Sequence, residues 1–187
     1  MTRFNKSILA ATIAFACAAP SQAGLLPFAG DTTLSPTFNR PVTNGTALSG
    51  VGTAVRYDVI EFYSTEADTV RFETLSARWS GQDTMLFLYT GFNPASPLSQ
   101  FRAGHDDIGP SMLSRLIFNI SANTQYQLVI TSFENAMFGA YTGEISSEVM
   151  LTLGRLPTSQ GNVPLPGTVA LLGLGLGLCA VRARRSA

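Results

Sequence analysis

Cysteine is missing from the middle of this chain. Of 187 residues only Cys17 and Cys179 are cysteines, and each falls inside an apolar segment near one end. The stretch between them has no disulfide, no thiol nucleophile and no cysteine-based metal site. Its stability must come from core burial, helped at most by a bound ion. Charge is also scarce. Charged residues make up 13% of the sequence and hydrophobic residues 45%, against roughly 25% charged in an ordinary soluble domain. Lysine does not recur after Lys6, which leaves arginine as the only basic residue type in the middle. The sole histidine is His105; with no second histidine and no cysteine beside it, a zinc site is not expected.

The formal net charge of zero hides a division. Arg3, Lys6, Arg182, Arg184 and Arg185 stand at the extremities, while every Asp and Glu lies between them. Without its ends the chain is acidic. An acidic surface repels a phosphate backbone, so no nucleic-acid partner is expected. An acidic surface attracts cations such as calcium, and it also simply favours solubility.

The N-terminus has a secretion pattern. Arg3 and Lys6 form a positive start, Ser7 to Ala19 a small-residue apolar stretch, and Ser21-Gln22-Ala23 a small-x-small cleavage site. The mature chain is then expected to begin at Gly24, with 1–23 as a signal helix. Phe15 in Ala14-Phe15-Ala16 argues against lipidation at Cys17. At the other end, a Pro-containing linker over 155–162 leads into 163–187. There Val163-Pro164-Leu165-Pro166-Gly167 precedes an apolar stretch, Thr168 to Val181, and then Arg182, Arg184 and Arg185. The apolar stretch is at the short limit for a membrane span, and the arginines after it would stay cytoplasmic.

This tail resembles the PEP-CTERM sorting signal, with Leu165 standing where the family motif has Glu. The resemblance implies an exosortase-like processing enzyme as partner and transient anchoring in the inner membrane. It further implies release to the cell surface or beyond, in association with extracellular polysaccharide or biofilm.

Between the ends, 24–52 reads as an extended entry segment rich in turn residues. From Val55 onward, short β-type runs alternate with turn signals. Val55, Tyr57 and Val59 alternate, then the phase shifts to Ile60 and Phe62, which predicts a bulge. Met85 to Tyr89 is continuously apolar, as in a central strand. Leu116-Phe118-Ile120, Tyr126-Leu128-Ile130 and Tyr141-Gly143-Ile145 alternate, and Val149, Leu151 and Leu153 close the series. The spacing predicts an all-β fold, an antiparallel β-sandwich over 53–154. The ordered set Gly81-Gln82-Asp83 before Thr84–Tyr89, His105-Asp106-Asp107-Ile108-Gly109, Ser114-Arg115-Leu116, Ala122–Tyr126 and Gly139–Thr142 is similar to the bacterial pre-peptidase C-terminal (PPC) domain. That resemblance implies a jelly-roll-like accessory module rather than a catalytic one.

Three sets of residues carry possible chemistry. Ser114, His105 and Asp107 make a triad on paper, without a nucleophile-elbow motif to support it. Asp83, Asp106 and Asp107, with Asp31 more remotely, offer the carboxylates calcium wants if the loop ends converge; alternatively each Asp simply opens a strand or turn. Trp79 beside Arg78, with Phe92, Phe101 and Phe138, is either a sugar-stacking platform or the edge of the core. The expected function is a non-enzymatic, exported envelope or matrix protein, with a calcium-dependent carbohydrate- or protein-binding module as the alternative.

Overall fold

Segments whose apolar positions recur at every second residue form strands, because alternate side chains point to opposite faces. The computed structural model describes residues 24–157. Its strands are β1 (Gly24–Asp31), β2 (Thr37–Phe38), β3 (Val55–Tyr63), β4 (Asp68–Ala77), β5 (Thr84–Tyr89) and β6 (Phe101–His105). They continue with β7 (Asp107–Ile108), β8 (Ser111–Ile120), β9 (Tyr126–Ser132), β10 (Ala140–Ser147) and β11 (Thr152–Leu153). The first sheet runs β1-β10-β4-β8-β7, and the second β11-β3-β9-β5-β6 with β2 added on β3. Every pairing is antiparallel.

The two sheets face one another as an all-β sandwich. Phe72, Leu116 and Ile145 of the first sheet meet Phe62, Leu86, Leu88, Leu128 and Ile130 of the second in one buried cluster. Each such side chain contributes about 1.5–3 kcal/mol by leaving water. Among the described residues, helix is limited to short 3-10 turns at Thr32–Leu34 and Ser80–Gln82. No helix there is long and apolar enough to cross a membrane. The signal helix expected over 1–23 and the hydrophobic helix expected within 163–187 lie outside the described residues.

Two sequence expectations need correcting. No bulge interrupts β3: its pairing with β9 runs unbroken from Tyr57↔Thr131 to Phe62↔Tyr126. The change of phase has another cause. Phe62 and Ile60 face the sandwich core, while Val55 and Tyr57 belong to a second cluster on the outer face of the same sheet. There Val55, Met85, Phe87, Tyr89 and Val129 are roofed by Phe38, Phe92, Phe101 and Phe133. Strand β5 is therefore buried on both faces, which explains its continuous apolar run.

The second correction concerns 24–52. Gly24–Asp31 is not an entry segment but an edge strand paired residue by residue with β10. Leu26 and Phe28 turn inward onto the core, and Leu25, Pro27 and Ala29 point out. Pro27 lacks an N–H, which blunts the open edge against further pairing.

The registers also sort the two ends of the sandwich. Gly24 and Ser147, Asp68 and Ile120, and Phe62 and Tyr126 share one end. Asp31 and Ala140, Tyr141 and Ala77, and Thr84 and Ser132 share the other. Near that second end Tyr141 Oη donates to Asp58 Oδ2 across the sheets at 3.0 Å. Burial first, and the Asp58 carboxylate second, push the phenol pKa up, so it remains a donor. Gly30 passes directly over this pair, where any Cβ would collide with the Tyr141 ring.

Candidate metal centre

Three carboxylates converge at the end remote from Gly24. Asp83, Asp106 and Asp107 each present an oxygen within 4.8 Å of the others. They come from two sheets. Asp83 immediately precedes β5, and its carbonyl is held by the Trp79 indole N–H at 3.2 Å and the Phe133 amide at 3.3 Å. Asp106 is the single residue between β6 of the second sheet and β7 of the first. Asp107 opens β7 and stands opposite Ser114. The set of Asp residues marked in the sequence is thus the set the fold brings together. Asp31 stays apart: it caps the Thr32–Leu34 turn by accepting from the Thr33 amide at 2.8 Å.

The electrostatics of this cluster are strained. Asp83 Oδ1 and Asp106 Oδ1 are buried and accept no hydrogen bond from the described residues. Burial raises the Asp83 pKa to about 6, with Asp106, Asp107 and Glu134 adding to the rise and Arg40 opposing it. Burial and Asp107 raise Asp106 as well, against Arg40 and His105.

Arg40 carries no signal in the sequence, since it lies in a polar stretch far from any of these acids. It is only 3% exposed. Its Nε and Nη2 donate to the Phe133 carbonyl at 3.1 and 2.9 Å, and Nη1 donates to that of Pro41 at 3.1 Å. The guanidinium also lies over the Phe133 ring. Its hydrogen bonds go to carbonyls, so it moderates the field of the carboxylates without satisfying their oxygens. A divalent cation does both. Calcium takes six to eight oxygens, typically carboxylates and carbonyls on loops, and the donor set here is all oxygen.

A cavity of about 330 Å³ lined by Thr43, Asn44, Gly104, His105, Asp106 and Asp107 opens beside the cluster. A second, of about 390 Å³, shares His105 and Asp107 and extends to Arg115 and Ile117.

The paper triad does not form. Ser114 is fully buried, and its hydroxyl donates to the Thr84 carbonyl. His105 Nδ1 contacts the Asp106 carbonyl at 3.1 Å rather than the serine. The aromatic platform does not assemble either. Trp79 packs edge-on to Tyr141 at 6.5 Å between ring centres, against the main core. Phe92 and Phe101 roof the outer cluster, and Phe138 lies under the Arg56 guanidinium. Gly24 opens β1. Ala23, and the sorting-tail residues Val163, Pro164, Leu165, Pro166, Arg182, Arg184 and Arg185, lie outside the described residues. No family model matches the chain, and no match to it is found among curated proteins.

Proposed function

We propose that the chain is an exported, non-enzymatic envelope or matrix protein whose sandwich is a calcium-binding module of jelly-roll-like, PPC-like type. The observation that carries this is the convergence of Asp83, Asp106 and Asp107, with buried, unpartnered oxygens on Asp83 and Asp106. The burial of Ser114 supports a non-catalytic role. The cluster also lies at the end of the sandwich away from Gly24, Tyr126 and β11. An ion bound there is displayed away from the points where the flanking segments join.

Export and sorting rest on the sequence of the ends: the signal pattern before Gly24 and the Val-Pro-Leu-Pro tail with its arginines. In this reading an exosortase-like enzyme processes the tail at the inner membrane and releases the domain among extracellular polysaccharides. Intact-mass analysis of the secreted form tests it. The expected chain begins at Gly24 and ends between Val163 and Gly167; a chain still ending at Ala187 contradicts processing.

The cavity beside Asp106 and Asp107 favours a second element, a hydroxylated ligand such as a saccharide at the open positions of the ion. Glycan-array binding that vanishes in EDTA and returns with added calcium is the expected result. Binding indifferent to EDTA argues against it.

A further inference from the structure

We infer that the buried hydroxyls of Thr74, Thr84 and Ser114 set the spacing of the Asp83, Asp106 and Asp107 carboxylates, as positioning residues for the bound cation. The inference rests on the calcium reading above.

The three residues are sealed in the sandwich, at 1%, 0% and 0% exposure. They tie the sheets together, because Thr74 and Ser114 belong to β4 and β8 of the first sheet and Thr84 to β5 of the second. Thr74 Oγ1 and Thr84 Oγ1 are 2.7 Å apart, and Thr84 Oγ1 donates to Ser114 Oγ at 3.2 Å. The Ser114 amide donates to Thr74 Oγ1 at 2.9 Å and to Thr84 Oγ1 at 3.0 Å. The Ser114 hydroxyl donates to the Thr84 carbonyl, and Thr74 Oγ1 reaches the Ser114 carbonyl at 3.3 Å. Each hydroxyl proton has an acceptor.

This knot adjoins the acids in chain and in register. Thr84 follows Asp83 in the chain, Ser114 is the register partner of Asp107, and Asp106 is the residue on which the chain changes sheet. The distances among the carboxylates are therefore set by the separation of the sheets at this point. Apolar burial is non-directional and does not by itself specify one spacing. Hydrogen bonds have a preferred length and direction, and a connected buried set specifies one arrangement. Calcium holds each oxygen at about 2.3–2.6 Å, so the spacing of the carboxylates decides how many of them one ion engages. The knot thus does for the ion what apolar side chains at these positions do not.

The test compares Thr84→Val, which keeps shape and removes the hydroxyl, with Thr84→Ser, which keeps the hydroxyl. Calcium affinity is measured by calorimetry on the full chain in detergent. Terbium luminescence excited through Trp79, whose indole bonds the Asp83 carbonyl, gives an independent reading. Thr84→Val is expected to weaken calcium at least about 10-fold and to dim the terbium signal, with Thr84→Ser within about threefold of the parent. If Thr84→Val fails to fold, Thr74→Val and Thr74→Ser are read the same way. A folded valine variant that binds both ions like the parent, even at a lower melting temperature, overturns the positioning role and leaves the calcium reading standing. A parent chain that binds neither ion overturns both.

Discussion

Millimolar calcium is expected to raise the melting temperature of the chain by about 8 °C over the same protein in EDTA near neutral pH, the increment of an ion at about 100 times its dissociation constant. The cause is the repulsion stored in the ion-free cluster. The folded-state pKa of Asp83, about 6, lies above the ordinary carboxylate value, which is near 4 in an unfolded chain. Between those values the folded protein holds a proton that the unfolded chain has released. Ion-free stability therefore falls as pH rises from about 4 to about 6, and stays low above that. Asp106 shifts in the same direction and reinforces the fall.

Calcium is expected to invert the trend, because it requires ionised carboxylates. Its increment grows with pH through the same window and is smaller at about pH 4.5, where Asp83 holds its proton. Asp83→Asn separates the two effects. It raises the ion-free melting temperature near neutral pH by removing one repelling charge, and it abolishes the calcium increment. A parent protein that melts identically at both pH values, with and without calcium, contradicts this account.

Gly143→Ala is expected to cost about 3 kcal/mol in urea unfolding, at the upper end for overpacking in a well-packed core. Gly143 lies in β10, between β1 and β4, where the pairing with β4 shifts between Thr142 and Gly143. A Cβ there collides with the Phe28 ring and comes within 2.5 Å of the Glu73 carbonyl. The ring of Phe28, on an edge strand, is able to swing aside. The Glu73 carbonyl is fixed in the β4 backbone. In a Phe28→Ala background the cost of Gly143→Ala should therefore shrink only in part; a cost near zero there shows that the ring was the whole obstacle.

The sequence made the two-sheet fold and the acidic trio readable for local reasons. Strands such as Tyr126–Ser132 and Ala140–Ser147 alternate cleanly, and each member of the trio stands at a strand boundary. What it hid is set by contacts distant in sequence. Arg40 acquires its role from Phe133, which follows 93 residues later. Thr74, Thr84 and Ser114 look like ordinary strand hydroxyls until residues 30 and 40 apart are brought together. β3 misled because both of its faces are covered, which a single alternating phase does not describe. β1 was hidden by Gly24, Pro27 and Gly30, residues that usually mark turns and here mark an edge and a close approach to Tyr141.

Calorimetric titration of calcium into the purified, EDTA-stripped chain at neutral pH, beside Asp83→Asn, tests the cation centre most directly. The account predicts saturable binding of one calcium per parent chain and no heat from the variant. No binding to the parent at millimolar calcium, or equal binding to both proteins, contradicts it.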